Sequence, residues 1–197
     1  MTRRVASVSL ALALSSAFLS GCMTPRVTNT ARTGVEQMLL STAAERSLAK
    51  LALGKLDGRR VFINEAGLEC VDKSYVAGLL KSLLANAGGV VVAKADDADL
   101  VCEPRAAALA TDAWEGLFGV PALNIPIPMV GSTATPELAI FKQARQNGVA
   151  KLALLLHDRA TGQMVANLGP EFGRSHSTVW TILLFISFRT TDIPELK

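Results

Sequence analysis

Polar and apolar positions change their period several times along the chain, and each change marks an element. Over residues 35–53, Leu40, Ala44, Leu48 and Leu51 recur on one stripe at helical spacing, with Glu36, Glu45, Arg46 and Lys50 on other faces. Gly54 and the Asp57-Gly58 pair end this first helix. Residues 60–64 form a short strand with Val61, Phe62 and Ile63 as its body. Asp72 caps a second helix that runs to about Ala87 and buries Val76, Leu79, Leu80, Leu83 and Leu84, and Gly88-Gly89 supplies its closing turn. Residues 90–93 are apolar on both faces and read as a central strand. Residues 100–109 read as a further strand or a strand with a bend, and residues 150–157 as a clear strand. The turn Asp158-Arg159-Ala160-Thr161-Gly162 leads into a short strand near 164–166, and a long strand follows over 178–188.

Two segments fit no single period. Residues 113–131 hold three prolines and three glycines among large apolar side chains, a spacing that forbids a regular helix or a central strand. They read as a long irregular loop. Such a loop either folds over the core or exposes an apolar patch to a membrane or partner. The candidate contact residues are Trp114, Leu117, Phe118, Leu123, Ile125 and Ile127. Residues 135–148 read either as a helix from Thr135-Pro136-Glu137 or as a strand entering an Asn147-Gly148 hairpin turn, and the strand at 150–157 favours the hairpin.

The order helix, strand, helix, strand, strand, followed by hairpin-connected strands, predicts an α/β (α+β) fold. We expect a single domain over residues 35–197, with two main helices packed on a mixed β-sheet.

The N-terminus changes the picture. Met1-Thr2-Arg3-Arg4 precedes an apolar run of 15 residues, 5–19, four of which are serine. A spanning helix needs about 20 predominantly apolar residues, so this pattern reads as a secretory signal over residues 1–21. Its exit, Leu19-Ser20-Gly21-Cys22, resembles the lipobox of bacterial lipoproteins. That resemblance implies a covalent lipid on Cys22. Residues 23–34 are polar and Thr-rich without periodicity, so residues 22–34 read as the lipidated N-terminus and its tether, and no other cofactor is expected. Each buried lipid CH₂ contributes about 0.8 kcal/mol, so two or three acyl chains hold a protein firmly at a bilayer. Residue 23 is Met rather than Asp, which in lipoproteins generally leans toward the outer membrane, with the domain facing the periplasm.

Charge narrows the partners. Without Arg3 and Arg4 the 20 basic residues fall to 18 against 17 acidic, a net of +1. This near-neutral balance argues against a nucleic-acid partner, which needs a concentrated basic surface. The expected partners are the membrane, through the anchor, and an envelope protein the sequence does not name. With Cys22 lipidated, Cys70 and Cys102 remain. In an oxidising compartment they can form a disulfide, or they can stay as two buried thiols.

Residues 32–44, Arg-Thr-Gly-Val-Glu-Gln-Met-Leu-Leu-Ser-Thr-Ala-Ala, together with Asp158-x-x-Thr161-Gly162, resemble a family of uncharacterised proteobacterial lipoproteins. The element order, the Ala98-Asp99-Leu100 strand entry and the Asp-x-x-Thr-Gly turn resemble the TolB N-terminal-like α/β domain. Envelope lipoproteins of the LpoB and CsgG types share that domain. Neither resemblance carries an activity to particular residues.

No catalytic motif stands out. The chain has two histidines, His157 and His176, and no nucleophile elbow, zinc helix, phosphate loop or dinucleotide fingerprint. Ser175 and His176 are neighbours on one strand and so point to opposite faces. Asp96, Asp97 and Asp99 lack the spacing of a calcium loop and read as a solvated turn. The expectation is therefore no catalytic residue, no metal, and a lipid-anchored binding or assembly module. The alternatives are an envelope enzyme or an oligomeric secretion or pore lipoprotein.

Overall fold

The computed structural model describes residues 32–127 and 131–193. The signal segment and Cys22 lie outside the described residues, as does Met129. Two helices, α1 (Gly34–Leu48) and α2 (Lys73–Asn86), pack on one face of a six-stranded sheet. The strands are β1 (Arg60–Ile63), β2 (Val90–Val92), β3 (Leu100–Val120), β6 (Leu138–Asp158), β7 (Met164–Ile182) and β8 (Ile186–Thr191). A separate hairpin joins β4 (Asn124–Ile127) to β5 (Gly131–Ala134). The sheet order is β2-β1-β3-β6-β7-β8, parallel between β1 and its two neighbours and antiparallel elsewhere. The expected mixed α+β domain with two helices is what the chain forms, within the compact unit Gly34–Lys197.

The helical stripes seat the helices. Leu39, Leu40, Ala43, Ala44, Ser47 and Leu48 are the buried side of α1, while Glu36 and Arg46 complement the helix dipole at its two ends. The helix ends at Leu48, five residues earlier than its stripe suggests, and Leu51 still enters the core beyond it. On α2 the buried residues are Val76, Ala77, Leu80 and Leu84. Leu79 and Leu83 lie at the edge of the contact. Below them, Leu152, Leu154 and Leu156 alternate inward on β6 beside Val61, Ile63, Leu100 and Cys102.

Several elements depart from their sequence-based expectations. β2 is an edge strand of three residues with Val90 exposed, because a short apolar run specifies strand character but not its place in the sheet. Residues 113–120 are not an irregular loop. They extend β3 to 21 residues, and the three prolines fall after its end, at residues 121, 126 and 128. Residues 135–148 form neither a helix nor a hairpin turning at Asn147-Gly148, since β6 runs unbroken through that pair. Gly148 serves helix packing instead. A Cβ there would lie 2.5 Å from both the Leu39 carbonyl oxygen and Ser175 Oγ. Gly173, on the neighbouring strand, meets α1 more closely still, with a Cβ placed 1.7 Å from the Ala43 carbonyl oxygen. The strand expected over 178–188 is broken at residues 183–185, where Leu183 and Leu184 take φ of 49° and 70° and the chain reverses into β8.

Candidate functional site

The long strands outrun the helices. β3 and β6 each have 21 residues, about 70 Å of strand at 3.3 Å per residue, whereas α1 covers about 22 Å. What projects is a ribbon of β3, β6, β7 and β8, capped by the 183–185 turn and the β4–β5 hairpin. The turn joins the body of the ribbon through Leu183 N–H to the Ile140 carbonyl and Leu184 N–H to the Ala139 carbonyl, both 2.9 Å. Thr135 N–H closes on the Leu123 carbonyl at 2.8 Å where the hairpin leaves it.

Side-chain alternation gives the face turned away from α1 a distinct order. Register pairs Phe118 with Phe141 and Phe141 with Ile182 near the end. Behind them come Gly116, Gln143, Trp180 and Phe188, then Trp114, Arg145, Thr178 and Thr190. The polar row Asp112, Asn147 and His176 follows. Trp180 bridges its row, with ring centroids 5.7 Å from Phe141 and 6.4 Å from Phe188, and its indole N–H donates to Thr190 Oγ1 at 3.1 Å. Trp114 folds over Gly116, where a Cβ would meet its ring at 2.5 Å.

On the opposite face of the ribbon, Lys142 Nζ sits between Glu115 at 2.9 Å and Glu137 at 3.0 Å, which raises its pKa. Nearer the end, around the register shift at Phe118/Gly119, Val120 and Ile140 are exposed.

The sequence-derived contact residues fall into this region. Trp114 is 57% exposed, Phe118 68%, and Leu123 and Ile125 about half. Leu117 is half-buried, and Ile127 belongs to the backbone of β4. Reading the sequence missed Leu138, Ile140 and Phe141 on β6, and Leu183, Leu184 and Phe185 in the turn, the last 80% exposed. The signal was present in the run Leu183-Leu184-Phe185-Ile186, but an unbroken apolar run gives no sign of where it turns.

Other chemistry is dispersed. Cys70 is half-buried and Cys102 fully buried, and the two stand as separate thiols in the fold. Cys102 points from β3 into the core, and burial pushes its thiol up to about 12. Burial likewise raises Cys70. Ser175 Oγ is spent on the Leu39 carbonyl at 2.7 Å, on the face opposite His176. Asp192 ties three elements: it accepts from the His176 backbone N–H at 2.6 Å, lies 3.3 Å from His176 Nδ1, and takes Arg46 at 2.5 Å. Arg60 holds the Asp99 carboxyl down to about 2 through paired hydrogen bonds. Among the described residues no group of three His, Cys, Asp or Glu gathers as metal ligands. A cavity of about 450 Å³ opens between the first half of α1, the Asp72–Tyr75 turn and Leu109. Its lining is mainly apolar, and the Tyr75 hydroxyl nearby donates to Glu45, which with burial raises it to about 12.

Residues 17–185 match the family described as Family of unknown function (DUF6655). The chain belongs to this family. The match takes in the Leu19-Ser20-Gly21-Cys22 stretch, both helices and the ribbon as far as the 183–185 turn, and leaves β8 outside it. No curated protein matches the chain.

Proposed function

We propose that this protein is a lipid-anchored component of the bacterial envelope, held through Cys22 at the outer membrane, and that its domain is a non-catalytic binding or assembly module facing the periplasm. In this reading the family is one of proteobacterial lipoproteins. The observation that carries the contact function is the exposed apolar end of the ribbon. Large aromatic and aliphatic side chains stand in solvent there on well-paired strands, and interfaces draw their anchors from such residues. Photo-crosslinking from intact envelopes tests it. Phe118→Ser and Ile125→Ser should leave thermal unfolding nearly unchanged and abolish crosslinks from the ribbon. Variants that instead unfold the protein would place these side chains in its core and end the reading.

A second reading, an oligomeric secretion or pore lipoprotein, is favoured by one feature. Among the described residues, β3 pairs on its outer side with β1 only over residues 100–102, which leaves a long strand edge open, and β8 has no further strand on the far side of the sheet. Open edges are templates for another copy. A large, discrete oligomer of the intact protein in detergent would select this reading, and a monomer would reject it.

A further inference from the structure

We propose that the end of the ribbon docks into a lipid leaflet, with the 183–185 turn and the start of the β4–β5 hairpin immersed and the tryptophan row at the water boundary. This rests on the lipid anchor at Cys22 proposed above. Three observations point to lipid rather than to a protein surface.

First, the exposed apolar side chains are not confined to one strand face. Phe118 and Phe141 lie on the face turned away from α1, and Leu184 and Phe185 stand exposed at the turn that closes the ribbon. A fluid medium covers a face and the end beyond it together. Second, side-chain chemistry is graded along the ribbon. On the face turned away from α1, Phe118, Phe141 and Ile182 at the end give way to Trp180, then to Trp114 beside Arg145, and then to Asp112, Asn147 and His176, while the ion pairs of Lys142 with Glu115 and Glu137 lie on the other face. Tryptophan between an apolar band and charged residues is the arrangement of a membrane–water boundary. From the Trp180 row to the turn is about 10–13 Å of strand, within one leaflet of a hydrocarbon core about 30 Å thick. Third, Leu183 and Leu184 occupy left-handed backbone positions where Gly or Asn is ordinarily favoured, in an exposed turn. Apolar side chains are thus kept against local conformational preference at the end of the β7–β8 hairpin.

The anchor can reach the same bilayer. Ser47 Oγ bonds the Glu171 carbonyl while Ser175 Oγ bonds the Leu39 carbonyl, so α1 runs opposite to β7 and its N-terminus points toward the ribbon end. Gly34 stands roughly 20 Å short of the turn along the strand direction. The twelve residues back to Cys22 span at most about 40 Å.

The test uses the full lipidated chain in vesicles of phosphatidylethanolamine and phosphatidylglycerol with brominated acyl chains. Trp114 and Trp180 are the only tryptophans, so Trp114→Phe/Trp180→Phe clears the background and Phe185→Trp reports from the tip. The proposal expects blue-shifted Phe185→Trp emission, strongly quenched by bromine deep in the chains, and loss of that quenching on adding Leu184→Asp. A chain that keeps only Trp114 should be quenched mainly by bromine near the headgroups. Solvent-like, unquenched tip emission from protein that still floats with the vesicles would overturn the proposal. So would a blue shift that depends on protein concentration and is insensitive to bromine, which would assign the tip to a second copy. Release of a trapped dye would overturn it in favour of a spanning assembly. Failure of the anchor reading is seen separately, as palmitate incorporation that persists in Cys22→Ser.

Discussion

Cys102 and the close-packed glycines show how one residue's chemistry follows from its neighbours. Cys102 lies fully buried among Val61, Ile63 and the β6 leucines, and burial raises its thiol to about 12. The reactive thiolate is then negligible near neutrality. Thiol titration at pH 8 should find Cys102 unreactive in the native protein, and two thiols at Cys70 and Cys102 after unfolding without reductant. A count of zero at these positions would mean the bridge forms. Gly148 and Gly173 let α1 approach the sheet at carbonyl distance. Gly173→Ala should destabilise by about 1–3 kcal/mol or more, because the obstacle is backbone and cannot rotate away. The unfolding midpoint in urea reads the change.

Among the elements, α2 and the β7–β8 hairpin stand in different regimes. Leu80 and Leu84 fill the space between α2 and the sheet, so either change to Ala should cost about 2–5 kcal/mol, read as a loss of thermal stability. Leu83, at the margin, should cost less. The hairpin turn carries its apolar residues at a conformational cost. Leu184→Gly removes a left-handed penalty of about 1–2 kcal/mol, and should raise stability by about 1 kcal/mol while weakening attachment of the ribbon end. A variant both more stable and fully attached would show that the turn has no contact role.

For the whole molecule, long-range polar ties join parts distant in sequence. Asp192 links the end of β8 to α1 and β7. Burial pushes its carboxyl up, but the His176 backbone N–H and Arg46 together outweigh that and hold it below the ordinary range. Asp99 is held at about 2 by Arg60, and Asp158 is lowered chiefly by Thr161. A carboxyl lowered in the folded state adds stability above its unfolded pKa of about 4 and loses it as pH falls through the folded value. The melting temperature should therefore drop between about pH 4 and pH 2, and Asp192→Asn should flatten part of that slope. At this exposure the tie is worth no more than about 1 kcal/mol.

Local patterning by itself determined both helices, their buried stripes, the β6 alternation over residues 150–157 and the mixed α+β class, because period and punctuation are properties of neighbouring residues. It also marked residues 113–131 as rich in large apolar side chains, and left open whether they cover the core or meet a membrane or partner. Tertiary structure decided the rest. The Asn147-Gly148 pair carries a strong turn signal, yet it stays within a strand because α1 needs its missing Cβ. Three valines read as central lie at an edge, because sheet order is set by crossover and not by hydropathy. The ribbon end came into being only when β3, β6 and the β7–β8 hairpin ran out together past the helices, bringing Phe118, Phe141 and Leu184 to one place from three separate stretches of chain. Cross-strand register makes that coincidence, and register is a relation between segments that no single segment contains.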